Sequence, residues 1–167
     1  VGIGVTPSAW RDSVAVNSVI QGADNYAILN RNDGGTKTNY FAQNFYYNAS
    51  DVGARMDTDK WSLFYSQNQE DGSHGFYTST NDTGLSPSMQ SKLTISSGGN
   101  VGINNTIPSS FFGNASQLVI GDGSTSRGMT IYSDTNTDGQ IFFADGITGA
   151  DQYRGIVRYE HSSDALV

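Results

Sequence analysis

Cysteine is absent from the 167 residues, proline occurs three times, and glutamate only at Glu70 and Glu160. Without cysteine there are no disulfides and no thiolate metal sites. No apolar run is long enough to span a bilayer, which argues against membrane insertion. Basic residues are also few: nine Lys and Arg, scattered along a chain of net charge −7. With no cluster of cations to neutralise phosphates, nucleic acid is excluded as a partner. An anionic membrane surface is disfavoured on the same ground.

The chain is instead rich in Asp, Asn, Ser, Thr and Gly. These residues resist helix interiors, through side chains that compete for the backbone or through the entropy cost of ordering Gly. Aromatic and β-branched residues supply most of the apolar content, as strands prefer. The expectation is an all-β chain with many turns and no helix. Ile, Leu, Val and Phe total 35 residues, a thin core for this length. Nine Tyr, eight Phe and two Trp nonetheless argue against disorder. A chain this polar can fold by sharing apolar strips with sister chains, so an obligate oligomer is expected.

One phrase occurs twice. Gly99-Asn100-Val101-Gly102-Ile103 echoes the opening Val1-Gly2-Ile3-Gly4. Each copy is followed by a Thr (Thr6, Thr106), a Pro-Ser pair (Pro7-Ser8, Pro108-Ser109) and an aromatic (Trp10, Phe111). Recurrence at this distance suggests an array of similar units. We place a divergent first unit at 1–98 and a second at 99–167. Expected strands in the first are Val14–Ile20, Tyr26–Asn30, Tyr40–Tyr47, Ala54–Met56, Trp61–Gln67, Gly75–Thr80 and Lys92–Ser96. In the second they are Gln117–Ile120, Met129–Ser133, Gln140–Ala144, Gly155–Tyr159 and Ala165–Val167. Turns are expected at Asn32-Asp33-Gly34-Gly35, Asn81-Asp82-Thr83-Gly84 and the other Asp-Gly pairs. The lack of an initiator Met and the apolar ending Ala165-Leu166-Val167 are expected of a segment of a longer polypeptide.

The strings Gln117–Gly123, Met129–Ser133, Ile141–Gly146 and Tyr153–His161 resemble the repeat of bacteriophage tail fibres and related virion proteins. In that family the repeat commonly precedes a self-cleaving chaperone domain of the endosialidase type, with the Gly-Asn-Val-Gly-Ile phrase as unit boundary. The resemblance covers roughly 98–167; the first unit resembles more divergent fibre units. It implies an elongated homotrimeric fibre of short-strand repeats, β-prism- or β-sandwich-like, in an extracellular virion. Implied partners are other copies of the chain, other tail proteins, and a host-surface glycan or protein.

Candidate chemistry is sparse. Asp134, Asn136 and Asp138, then Gly139 and Asp145, have the oxygen spacing of a calcium loop. The flanks read as strands rather than helices, and the final position is Asp instead of Glu, so a polar hairpin loop is favoured over a calcium site. No cofactor is otherwise expected. His74 and His161 lack any neighbouring catalytic motif, and abundant Asp is what turns predict. No enzyme is therefore expected, with a polysaccharide-degrading tailspike as the alternative. A capsid or neck fibre without a receptor role is the other alternative. Aromatic rings stack on sugars, which makes Tyr46, Tyr47, Trp61, Tyr65 and Tyr77, with Phe64 and Phe76 beside them, candidates for receptor contact. The same rings suit a shared core, and that reading is favoured.

Overall fold

The computed structural model describes residues 2–3, 16–22, 25–32, 37–48, 52–80 and 83–167. Apart from Gly2 and Ile3, the opening phrase and its Thr6, Pro7-Ser8 and Trp10 lie outside the described residues. So do Asp33-Gly34-Gly35 and Asn81-Asp82 of the expected turns. The chain is predominantly β; the described helical pieces are short 3-10 turns. It groups into two compact units, 1–127 and 128–167.

The first unit holds β1 (Gly2–Ile3), β2 (Val16–Gly22), β3 (Tyr26–Asn32), β4 (Lys37–Gln43), β5 (Tyr46–Tyr47) and β6 (Gly53–Ala54). It continues with β7 (Leu63–Asn68), β8 (His74–Ser79), β9 (Met89–Ile95), β10 (Val101–Ile103) and β11 (Leu118–Ile120). All but β5 and β6 form one nine-stranded sheet, in the order β1-β2-β3-β4-β7-β8-β9-β10-β11. From β2 to β10 the pairing is an antiparallel meander. The two strands carrying the recurring phrase break that pattern. Strand β1 runs parallel to β2, with Gly2 opposite Gln21, and β10 runs parallel to β11, with Gly102 opposite Val119.

The expected boundary at 98/99 differs from this arrangement. Those residues form the turn between β9 and β10, which pair within the same sheet. A Gly-rich string here serves local geometry. Gly99 has φ +83°, and its N–H donates to Ser96 O at 2.9 Å. Asn100 Nδ2 donates to Ser116 O and Oγ, tying the turn to the entrance of β11. A Cβ on Gly102 would sit 2.2 Å from the carbonyl oxygen of Asn105. The absent side chain lets residues 104–110 fold back over the sheet.

Strict alternation separates two faces. Along β4, Thr38, Tyr40 and Ala42 are buried while Lys37, Asn39, Phe41 and Gln43 are exposed. The buried core is Ala27, Leu29, Tyr40, Ala42 and Phe45. It lies on the inner face, where Phe45 joins it from the excursion that follows β4, described at 44–48 and 52–62. The expected strand Tyr40–Tyr47 is cut at Asn44, whose φ is +52°. Asn44 is buried, and its Oδ1 accepts the N–H groups of Met56 (2.9 Å) and Asp57 (2.6 Å). Its Nδ2 donates to the carbonyls of Asp57 (2.8 Å) and Lys60 (3.0 Å). Its own carbonyl accepts from Ser62 Oγ at 2.7 Å. A sequence pattern cannot announce this role, because Asn is also the commonest kind of surface turn residue.

The second unit is a three-stranded antiparallel sheet of β12 (Gly139–Phe143), β13 (Gly155–Glu160) and β14 (Ala165–Leu166). The expected strand Met129–Ser133 is not formed. Its alternation is real, but among the described residues no neighbouring strand pairs with its backbone.

Removing the buried Asn44 amide takes the hydrogen-bond partner from part-buried backbone groups of Met56, Asp57 and Lys60. Asn44→Ala is expected to cost about 3 kcal/mol or more, read as a fall in the urea midpoint. Gly102→Ala is expected to cost about 2 kcal/mol from overpacking, more than Gly99→Ala, where the strain is about 1 kcal/mol.

Candidate functional site

The aromatic candidates do not form one site. Tyr65 points to the outer face of the sheet and Tyr77 to the inner, as their register partners Phe76 and Phe64 require. Tyr47 belongs to the wall of the core. Its ring meets those of Tyr40 and Phe45 edge-on, and the Arg31 guanidinium lies 4.7 Å from its centroid. Tyr46, next to it in β5, is half-buried, and Trp61 stands half-exposed at the entrance to β7. Two features instead emerge on opposite faces of the large sheet.

On the inner face an open cavity of about 540 Å³ lies over β7 and β8. Its floor is aromatic. Phe64 stacks on Tyr77 with centroids 4.6 Å apart, and meets Tyr40 edge-on at 5.1 Å. Gly75 makes this possible, because a Cβ there would lie 2.4 Å from the Tyr77 ring. The ring covers the strand where a side chain is missing. Burial pushes the Tyr77 phenol above its ordinary pKa, with the nearby Tyr40 adding to the rise, so it stays protonated at neutral pH.

The walls are short polar loops. One is the β7–β8 turn, where Asp71 Oδ1 accepts the Ser73 N–H at 2.8 Å. Gly72, at φ +68°, lets this turn press against Ser97 of the β9–β10 turn. The opposite wall is the segment from Thr106 through the 3-10 turn Pro108–Ser110, anchored by buried Pro108. Among the described lining residues Asp71 is the sole charged group. The sequence reading missed Tyr40 and these walls. The period-two spacing of Thr38, Tyr40 and Ala42 was the available signal for the floor.

The outer face carries an apolar row at right angles to the strands. Register places Ile20 beside Ile28, Ile28 beside Phe41, and Phe41 beside Tyr65. The row continues through Phe76, Leu93, Ile103 and Ile120. Ile20, Ile28, Phe41, Phe76 and Ile103 each leave 39–50% of their surface exposed. The row touches every strand of the sheet from β2 to β11.

In the second unit the calcium-loop spacing is not realised as a loop. Asp138 immediately precedes β12 and Asp145 follows its far end, so a five-residue strand separates them. Asp134 Oδ1 instead accepts from the Asn136 N–H and the Thr137 hydroxyl, closing a local turn. Those bonds, the Asn136 N–H first, hold the Asp134 carboxyl below its ordinary pKa. Asp138 faces Arg158 at 3.6 Å. Among the described residues no three His, Cys, Asp or Glu side chains converge as a metal site would need.

Each histidine has a polar neighbour. His74 Nδ1 lies 2.5 Å from the Tyr65 hydroxyl, on the outer face. His161 Nε2 lies 3.1 Å from Ser133 Oγ. A nucleophilic serine also needs an orienting partner on the second ring nitrogen. Among the described residues no carboxylate hydrogen-bonds His161. No helix among them is long and apolar enough to cross a membrane. Comparison with protein-family models, curated proteins and solved structures gives no match.

The Gly121–Arg127 loop after β11 is organised by Asp122, which takes Ser124 Oγ at 2.7 Å and Ser124 N–H at 3.0 Å on Oδ1. Arg127 Nη2 reaches the same oxygen at 2.7 Å. Bonds from Ser124, then the Arg127 charge, lower the Asp122 pKa to about 2. A lowered pKa stabilises the loop above the unfolded carboxylate value, and that contribution fades as pH falls toward about 2. Carboxyl NMR titration is expected to find this midpoint, and Ser124→Ala to raise it more than Arg127→Ala.

Proposed function

We propose that the chain is a structural and adhesive segment of a virion fibre, assembled as a homotrimer and presenting weak host-surface sites in several copies. The observation that carries this reading is the outer apolar row. A face of Ile and Phe crossing a whole sheet stands exposed in the single chain. Full burial of such a side chain is worth about 1.5–3 kcal/mol; these are already half-buried or more, so covering each adds roughly 1 kcal/mol, and association that covers the row is favoured. Copies of the same chain supply a matching surface in equal number.

Three further features support it. The core of the single chain is small, consistent with stability drawn from assembly. The two phrase-bearing strands make the same parallel pairing with the strand that follows each of them, as expected of related units in an array. The resemblance to tail-fibre repeats covers the second copy of that phrase. No bond-making chemistry is assigned; the mechanism is mechanical and multivalent. Sites held rigidly together raise effective concentration at a cell surface, so avidity exceeds the affinity of one site.

Light scattering tests the assembly. The expected mass is three times that of the chain. Phe41→Lys with Phe76→Lys is expected to return it to a single chain mass with the strand signature in circular dichroism retained. A wild-type monomer would overturn the fibre reading.

A further inference from the structure

We infer that the inner-face cavity over β7 and β8 is a binding site for a neutral saccharide. The inference rests on the adhesive reading above and names what the surface contact recognises and where.

Three properties of the cavity select the ligand class. The first is its floor. The Tyr77 ring lies over Gly75, which has no side chain to lift it, and stacks against Phe64 with centroids 4.6 Å apart. An aromatic floor suits the C–H groups of a pyranose ring. Such a floor is fixed before binding, because Phe64 also packs against Tyr40 and Phe45 of the core. Little ordering entropy is then lost when a ligand arrives.

The second is the hydrogen-bonding character of the walls. Among the described residues the hydroxyls of Ser97, Thr106 and Ser109 make no internal hydrogen bond, and all border the cavity. Asp71 spends Oδ1 on the Ser73 N–H, which leaves Oδ2 directed at other donors. A hydroxyl can donate or accept, and a carboxylate only accepts. That set matches a ligand covered in hydroxyl groups. It does not match a lipid chain, which would strand these groups without partners.

The third is charge. Asp71 is the sole charged group in the described lining, and the whole chain carries −7. A phosphate, sulfate, sialate or uronate would meet a carboxylate and no cation. Like-charge approach into a partly desolvated cavity is costly. The same arrangement therefore admits neutral sugars and rejects acidic ones. The volume, about 540 Å³, falls inside the range of roughly 300–1,000 Å³ usual for small-ligand sites.

The whole 1–167 chain would be applied to an array of neutral and acidic oligosaccharides. Saturation-transfer NMR would follow with the best neutral sugar, and light scattering would be run on the same samples. The expected result is binding to neutral glycans, with transfer to the face of one pyranose ring and none from sialylated or uronate-containing probes. Tyr77→Ala is expected to weaken binding at least about tenfold, the equivalent of ~1.4 kcal/mol. Because Tyr77 also packs, Ser109→Trp provides the second test. Ser109 is exposed on the cavity wall, and an indole there fills the cavity while the fold is retained.

Binding that survives Ser109→Trp unchanged would overturn this site, as would preference for acidic glycans or no binding across the array. The two readings fail separately. A monomer that binds neutral sugar through the cavity removes the fibre and keeps the site. A trimer that binds no sugar keeps the fibre and removes the site.

Discussion

Asn44 is the constraint on which the large sheet depends. Its left-handed backbone stops β4, and its amide satisfies backbone groups of residues 56, 57 and 60 at once. The described parts of the excursion after β4, 44–48 and 52–62, are thereby tied together, and Phe45 reaches the core. Buried polar groups are tolerated only when fully partnered, and this one partners groups that no strand could reach. Arg55 and Ser62 are buried in the same region, with Arg55 Nε donating to Ser62 Oγ at 3.3 Å. Were the excursion to lift, Leu29 and Tyr40 would lose their cover. The cavity floor would lose the packing that fixes Phe64.

The two faces divide the labour of the sheet through alternation alone. Tyr40 turns inward and Phe41 outward from adjacent positions, and the antiparallel register repeats that choice on each neighbour. One face gathers rings beneath polar loops, and the other lines up apolar side chains that are partly exposed. A one-residue slip in β4 would exchange the two sets. The proposed binding cavity and the proposed assembly face are therefore set by the same register.

The strand content was legible because period-two alternation and Asp-Gly turns are local signals. Most expected strands appear within a few residues of their positions. What failed had non-local causes. Met129–Ser133 carries a strand pattern, but a strand exists only where another backbone meets it. Lys37–Asn39 is polar and was passed over, yet it extends β4 because Arg31 and Asn32 of β3 lie opposite. The phrase at 99–103 was read as a joint between units, and its glycines instead shape a hairpin inside one sheet. Of the aromatic candidates, Phe64 and Tyr77 line the cavity and the others do not, because position along the chain does not say which face a ring will take. The calcium spacing spans a strand: β12 lies between Asp138 and Asp145, and twelve residues make a loop only if no strand forms within them.

The outer edge of the sheet at β11 is three residues long. Gly121, at φ +104°, ends it, and a Cβ there would collide with the stem of Arg127. The Asp122 clamp then leads the chain away. Unpaired strand edges invite runaway ladder growth, and short edges are a common protection against it. A polypeptide with a broad apolar face is prone to the same fate while waiting for its partners. Here the backbone offers almost no template at this edge. For copies that associate through the apolar row, as proposed, the brevity of β11 would act as a safeguard against amyloid-like stacking.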